Sequence, residues 1–141
     1  YSSAASDVYK RQLYIYEHCP FCTRARMIFG LKSLPVELSV VLEGDAEARE
    51  AYRLREEKAF GDLDALWNAS PELIRNVNER LAALAALLHE RNEVGISDIK
   101  LWPVLRTLSI VRGLNFPEPV RTYVSRLARQ SGVPLLFDQQ A

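Results

Sequence analysis

The chain has two cysteines, Cys19 and Cys22, spaced Cys-x-x-Cys. Such a pair supports thiol–disulfide chemistry when one sulfur is ionised and the other lies within reach of the disulfide it forms. The residues around it favour that use. Pro20 suits the first position of a helix, where its missing N–H is not needed. A thiol at a helix N-terminus meets unpaired amide N–H groups and the positive end of the dipole. In such motifs a thiol pKa of about 8.5 falls to roughly 3.5–7.5. Arg24 and Arg26 add positive charge. Cys19 is therefore the candidate nucleophile, and Cys22, one helical turn on, the candidate resolving thiol.

The elements that must position this pair are legible on either side. Leu13-Tyr14-Ile15-Tyr16 is apolar and β-prone, a short strand. Residues 19–32 read as a helix, with Ala25, Met27, Ile28 and Leu31 as its apolar surface. Ser33-Leu34-Pro35 breaks that helix. Residues 36–42 form a second strand, alternating and then continuously apolar, so at least half buried. One strand–helix–strand unit results, with its strands paired in parallel. Two rival uses of the cysteines remain. His18 beside them suggests a metal, but structural zinc takes four ligands and no second cysteine pair exists. A pair of buried structural thiols is the other.

The run from Leu13 through Cys19-Pro20-Phe21-Cys22 to Lys32 resembles the opening of a glutaredoxin. It is similar to the bacterial glutaredoxin 2 type, which joins a thioredoxin-like domain to a helical domain like that of glutathione transferases. The likeness continues through Pro35-Val36-Glu37-Leu38. It resumes at Leu101-Trp102-Pro103-Val104-Leu105-Arg106 and Gly113-Leu114-Asn115-Phe116-Pro117. Phe21 replaces the tyrosine commonest in the motif, keeping the ring and losing a hydroxyl. The resemblance implies a glutathione-dependent thiol–disulfide oxidoreductase, with Cys19 and Cys22 catalytic and glutathione and protein disulfides as partners. Tyr16 and Phe21 would flank the thiolate, and Arg24 would help hold it charged.

The chain also departs from that family. After the second strand a glutaredoxin continues with a helix, a Val-Pro segment carrying a cis proline, a hairpin and a further helix. Here residues 46–58 are already helical by propensity. The second half of the thioredoxin-like domain, which lines the glutathione site, is missing. Val133-Pro134 stands at the far end of the helices, where an apolar tail packed on the bundle is the better reading. The expected architecture is α/β plus all-α: a leader over 1–12, non-native or disordered, a partial thioredoxin-like β-α-β unit over 13–44, and a glutathione-transferase-like helical bundle over 45–141. The alternative to an enzyme is an inactive remnant, a helical bundle that has lost the glutathione-binding segment. Its exposed sheet edge would favour self-association.

The helical part follows from period and caps. Gly61 closes the first helix, and Leu63, Leu66 and Trp67 make a short apolar turn. Ser70 and Pro71 open the next helix, which carries Ile74, Val77, Leu81, Leu84 and Leu88 on one stripe. His89, near its end, reads as a surface residue. Ser97 or Asp98 caps a helix over about 99–112 that is apolar nearly all round and so central. In the resembled fold, capping at Ser97 and Asp98 is structural. The last helix spans about 118–130, with Arg121, Arg126 and Arg129 outward.

Composition bounds the function. The 141 residues are 48% hydrophobic and 26% charged, with 18 basic and 18 acidic groups. That is an ordinary globular balance without the basic excess of a nucleic-acid binder. No apolar run is long enough to span a membrane. Two cysteines are too few for a disulfide scaffold, so a reducing, cytoplasmic setting fits.

Overall fold

A computed structural model describes residues 12–41, 46–88 and 93–140. Strand β1 (Gln12–Ile15) leads through the dithiol loop into helix α1 (Pro20–Leu31), and strand β2 (Glu37–Val40) returns beside β1. The two strands pair in parallel, Gln12 opposite Glu37 and Ile15 opposite Val40. The strand begins earlier than the sequence suggests, at Gln12, whose side-chain amide donates to Ser39 Oγ. Helices α2 (Ala46–Phe60), α3 (Leu63–Asn68), α4 (Ser70–Leu87), α5 (Ile96–Leu108) and α6 (Glu118–Ser131) follow. A short 3₁₀ turn over Phe137–Gln139 ends the described chain.

The core lies among α1, α4, α5, α6 and the C-terminal tail. Met27, Leu81, Trp102, Leu105, Phe116, Val120, Tyr123, Val124, Leu127 and Val133 form one buried cluster. Each large apolar side chain so buried contributes roughly 1.5–3 kcal/mol. Met27 belongs to the strand–helix–strand unit, so α1 is pinned to the bundle by shared core. Gly30 lets α1 and α6 touch: a Cβ there would sit 1.7 Å from the Ser131 carbonyl oxygen. Trp102 is fully buried, and its indole N–H donates to the Val124 carbonyl at 2.9 Å.

Four expectations need correction. The second strand has no buried face: none of its residues is buried, and its apolar Leu38 and Val40 are both exposed. Among the described residues no third strand covers that edge, so the apolar run has nothing to pack against. Ser70 does not cap α4. Ala69 holds the N-cap position, and the Ser70 hydroxyl donates back to the Leu66 carbonyl. Helix α5 starts earlier than expected, at Ile96, and Gly95 rather than Ser97 is its N-cap. It also stops at Leu108 and is not buried all round, since Val104 is 46% exposed. Asp98 does secure that end from the third helical position, its Oδ2 accepting the Gly95 N–H at 2.8 Å. Its other oxygen accepts from the Tyr123 hydroxyl at 2.8 Å. Gly44, Asp45 and His89 lie outside the described residues.

The tail reading holds. Val133 and Leu136 are buried, and the Pro134 carbonyl accepts from Arg106 Nε at 2.7 Å. No cis peptide bond occurs among the described residues.

Candidate redox site

β1 ends at Ile15, and the loop Tyr16–Cys19 turns the chain into α1. The Cys19 N–H donates to the Tyr16 carbonyl at 3.2 Å. Cys19 is the N-cap residue of α1, in extended backbone, with Pro20 in the first turn as its fixed φ favours. The Cys19 carbonyl accepts the first helical bond, from Thr23 N–H at 2.9 Å. The sulfur of Cys19 thus stands where α1 presents its unpaired amide groups. Both cysteines are free thiols and partly exposed.

Cys22 is one turn further and close enough to hydrogen-bond the Cys19 sulfur. Burial pushes the Cys22 thiol up. A backbone hydrogen bond from Tyr16 opposes this, the bond to Cys19 and the Cys19 charge push it further up, and the Arg26 guanidinium pulls it down. The net shift is upward, which favours the protonated form of Cys22 beside the Cys19 sulfur. An attacking sulfur and a protonated partner are the two parts that thiol exchange needs.

The cation that acts on Cys22 is Arg26; the Arg24 guanidinium lies over the Phe21 ring, 5.5 Å from its centroid. Phe21 is 71% and Tyr16 57% exposed, so both rings stand open beside the dithiol. Pro20, Cys19 and Cys22 are grouped as the sequence suggests, whereas Ser97 and Asp98 belong to the far end of α5.

Sequence reasoning missed three residues. Arg106, from α5, is fully buried beneath the loop. Its Nη2 donates to Glu17 Oε1 at 2.7 Å, and its Nη1 donates to the Glu17 carbonyl at 2.9 Å and to Thr23 Oγ1 at 3.3 Å. Arg26 shares the same carboxylate oxygen at 3.0 Å. Burial pushes the Glu17 carboxyl up, but the bonds and charges of Arg26 and Arg106 outweigh it and hold it below the usual glutamate range. Thr107, next on α5, places its hydroxyl 3.1 Å from the His18 carbonyl and 3.1 Å from the Pro103 carbonyl of its own helix, the two sharing its one proton. The available signals were an arginine within an apolar helix and a carboxylate two residues before the first cysteine.

Among the described residues, no group of three or more His, Cys, Asp or Glu is placed to hold a metal ion. None of the described helices is long and apolar enough to cross a membrane.

A strand, a dithiol at a helix N-cap and a docked helical bundle define a thioredoxin-like unit carried on a glutathione-transferase-like helical part. The family model "Glutaredoxin 2, C terminal domain" matches residues 43–141, and "Glutathione S-transferase, N-terminal domain" matches residues 13–59. The two matches overlap across α2. The chain belongs to the glutaredoxin 2 family. Glutaredoxin 2 of Escherichia coli strain K12 is 27% identical, over 89% of this chain and 97% of the relative; the sequence from strain O157:H7 aligns with the same figures. That alignment runs over 209 positions, more than the chain has residues, so it contains long gaps. A crystal structure of glutaredoxin 2 from Salmonella typhimurium in complex with glutathione superposes with a TM-score of 0.84. It is 24% identical and covers 92% of this chain and 98% of that one.

Proposed function

We propose that the chain is a glutathione-dependent thiol–disulfide oxidoreductase in which Cys19 is the nucleophile and Cys22 resolves. The Cys19 thiolate attacks a disulfide, forming a Cys19 mixed disulfide and releasing one thiolate. Where the substrate is a protein, Cys22 loses its proton, attacks the Cys19 sulfur and expels the reduced protein thiol. Two glutathione molecules then return the Cys19–Cys22 disulfide to dithiol and leave as glutathione disulfide. Where the substrate is a glutathione mixed disulfide, one further glutathione regenerates Cys19 directly. Tyr16 and Phe21 offer open rings beside the sulfur for the incoming substrate, and Arg24, stacked on Phe21, adds charge there.

The observation that carries this reading is Cys19 at the N-cap of α1 with the Cys22 side chain within hydrogen-bonding reach of its sulfur. Family membership supports it, and the glutathione named for the Salmonella relative supports the choice of thiol. Protein disulfides as partners, the cytoplasm as the compartment, and a division near residue 44 belong to the same reading. Incubating Cys22→Ser with glutathione disulfide tests it by intact mass. One glutathionyl group should appear, on Cys19; an adduct no faster than that of an unstructured cysteine peptide would contradict the assignment.

A second reading has its own observation. Among the described residues the sheet has two strands, Leu38 and Val40 lie open, and the Pro134 carbonyl is taken up by Arg106 of the bundle. On that reading the chain is a helical bundle carrying a remnant unit, and its open strand edge pairs with a second copy.

A further inference from the structure

The dithiol turn is gripped from one side by two consecutive residues of α5. We propose that Arg106 and Thr107 form a clamp that sets the geometry of the Cys19–Cys22 turn, so that the helical part, rather than the sheet, holds the redox site in its reactive shape. This rests on the reading of Cys19 as the nucleophile.

The geometry is specific. Arg106 contacts the chain on both sides of the dithiol. Before it, the guanidinium bonds the Glu17 carbonyl and carboxylate; after it, the Thr23 hydroxyl. Thr23 is fully buried and is the residue whose N–H closes the first helical bond to Cys19. Thr107 takes the next carbonyl, that of His18, so two successive carbonyls ahead of Cys19 are fixed by two successive residues of α5. The fourth bond of Arg106, from Nε to the Pro134 carbonyl, braces the guanidinium against the tail. Only a planar fork can meet acceptors in three segments at once.

The clamp matters because the sheet supplies little restraint. Two strands are marginal by themselves. In this chain the loop after β1 is held from α5 by Arg106 and Thr107, with Arg26 of α1 sharing the Glu17 carboxylate. A loosened loop would move the Cys19 sulfur relative to the α1 amide groups and to Cys22, and small misplacements of reacting groups slow reactions strongly.

Charge and position make different predictions. Arg106→Lys keeps the cation but cannot bridge Glu17 and Thr23 together. Thr107→Val removes the bond to His18, together with the local bond to the Pro103 carbonyl, and changes no charge. The test is the rate of Cys19 alkylation by iodoacetamide against pH, measured in a Cys22→Ser background, with folding of each variant checked by circular dichroism. The clamp predicts that Arg106→Lys and Arg106→Met slow Cys19 alike, by roughly 10–100-fold, with the midpoint of the pH profile moved upward. Thr107→Val slows it by a smaller factor in the same direction. Full reactivity in Arg106→Lys would overturn the clamp and leave a purely electrostatic role. Unchanged rates in a folded Thr107→Val would overturn the part assigned to α5 as a whole. Should Arg106→Met unfold, Arg106→Lys and Thr107→Val still decide. Failure of the underlying reading looks different: Cys19 in the Cys22→Ser parent would then alkylate with the rate and midpoint of an ordinary thiol.

Discussion

At the scale of residues, Glu17 is the group whose charge the structure most clearly constrains. Its carboxylate receives Arg106 and Arg26 on one oxygen. The usual glutamate pKa is about 4.3, and the folded value lies below it. Its contribution to stability is therefore full above about pH 4.3 and is lost as pH falls through the lower, folded value. Urea unfolding across that window should show the wild type losing stability on acidification. Glu17→Gln should be less stable than the wild type at neutral pH and show a flatter acid limb. Equal slopes in the two proteins would contradict the ion-pair assignment. Cys19, Cys22 and Pro20 could be read from spacing and neighbours alone. Arg106 could not, because its partners are backbone carbonyls and a carboxylate 89 residues away in sequence.

At the scale of elements, one position in α1 and one just past its end carry opposite predictions. Helix α1 ends in a reverse turn: Leu34 N–H bonds the Phe29 carbonyl and Ser33 N–H the Gly30 carbonyl, each at 2.9 Å. Ser33 sits at φ +49°, left-handed backbone that glycine adopts without strain. Ser33→Gly should raise stability by about 0.5–1 kcal/mol, read as a higher melting temperature. Gly30→Ala should act the other way. Its Cβ would meet the backbone oxygen of Ser131, forcing α1 off α6, with a loss of roughly 1–3 kcal/mol or more. The break after α1 was legible from Ser33-Leu34-Pro35, and the α4 stripe from its spacing. Ser70 and Ser97 misled because a good capping residue can stand one or two positions inside the helix it was expected to open. There the preceding residue, Ala69 or Gly95, takes the cap.

At the scale of the molecule, the bundle was easier to read than the sheet. Helical periodicity reports a local face, and Trp102, Leu105, Val124 and Leu127 went where their pattern sends them. Strand burial depends on what lies across the sheet. Leu38 and Val40 have a buried strand's composition, yet among the described residues only β1 pairs with β2. Open parallel edges with apolar side chains invite pairing between chains. Sedimentation velocity should show association that grows with protein concentration and is weakened by Val40→Lys. A monomer at every concentration would argue against edge pairing.

The measurement closest to the central claim is turnover of a small glutathione mixed disulfide by the purified, folded chain with glutathione present, beside Cys19→Ser. The proposed chemistry predicts steady turnover that Cys19→Ser abolishes. A folded chain with no turnover above the uncatalysed reaction would contradict it, and would leave the helical bundle with its remnant β-α-β unit as the better description of this family member.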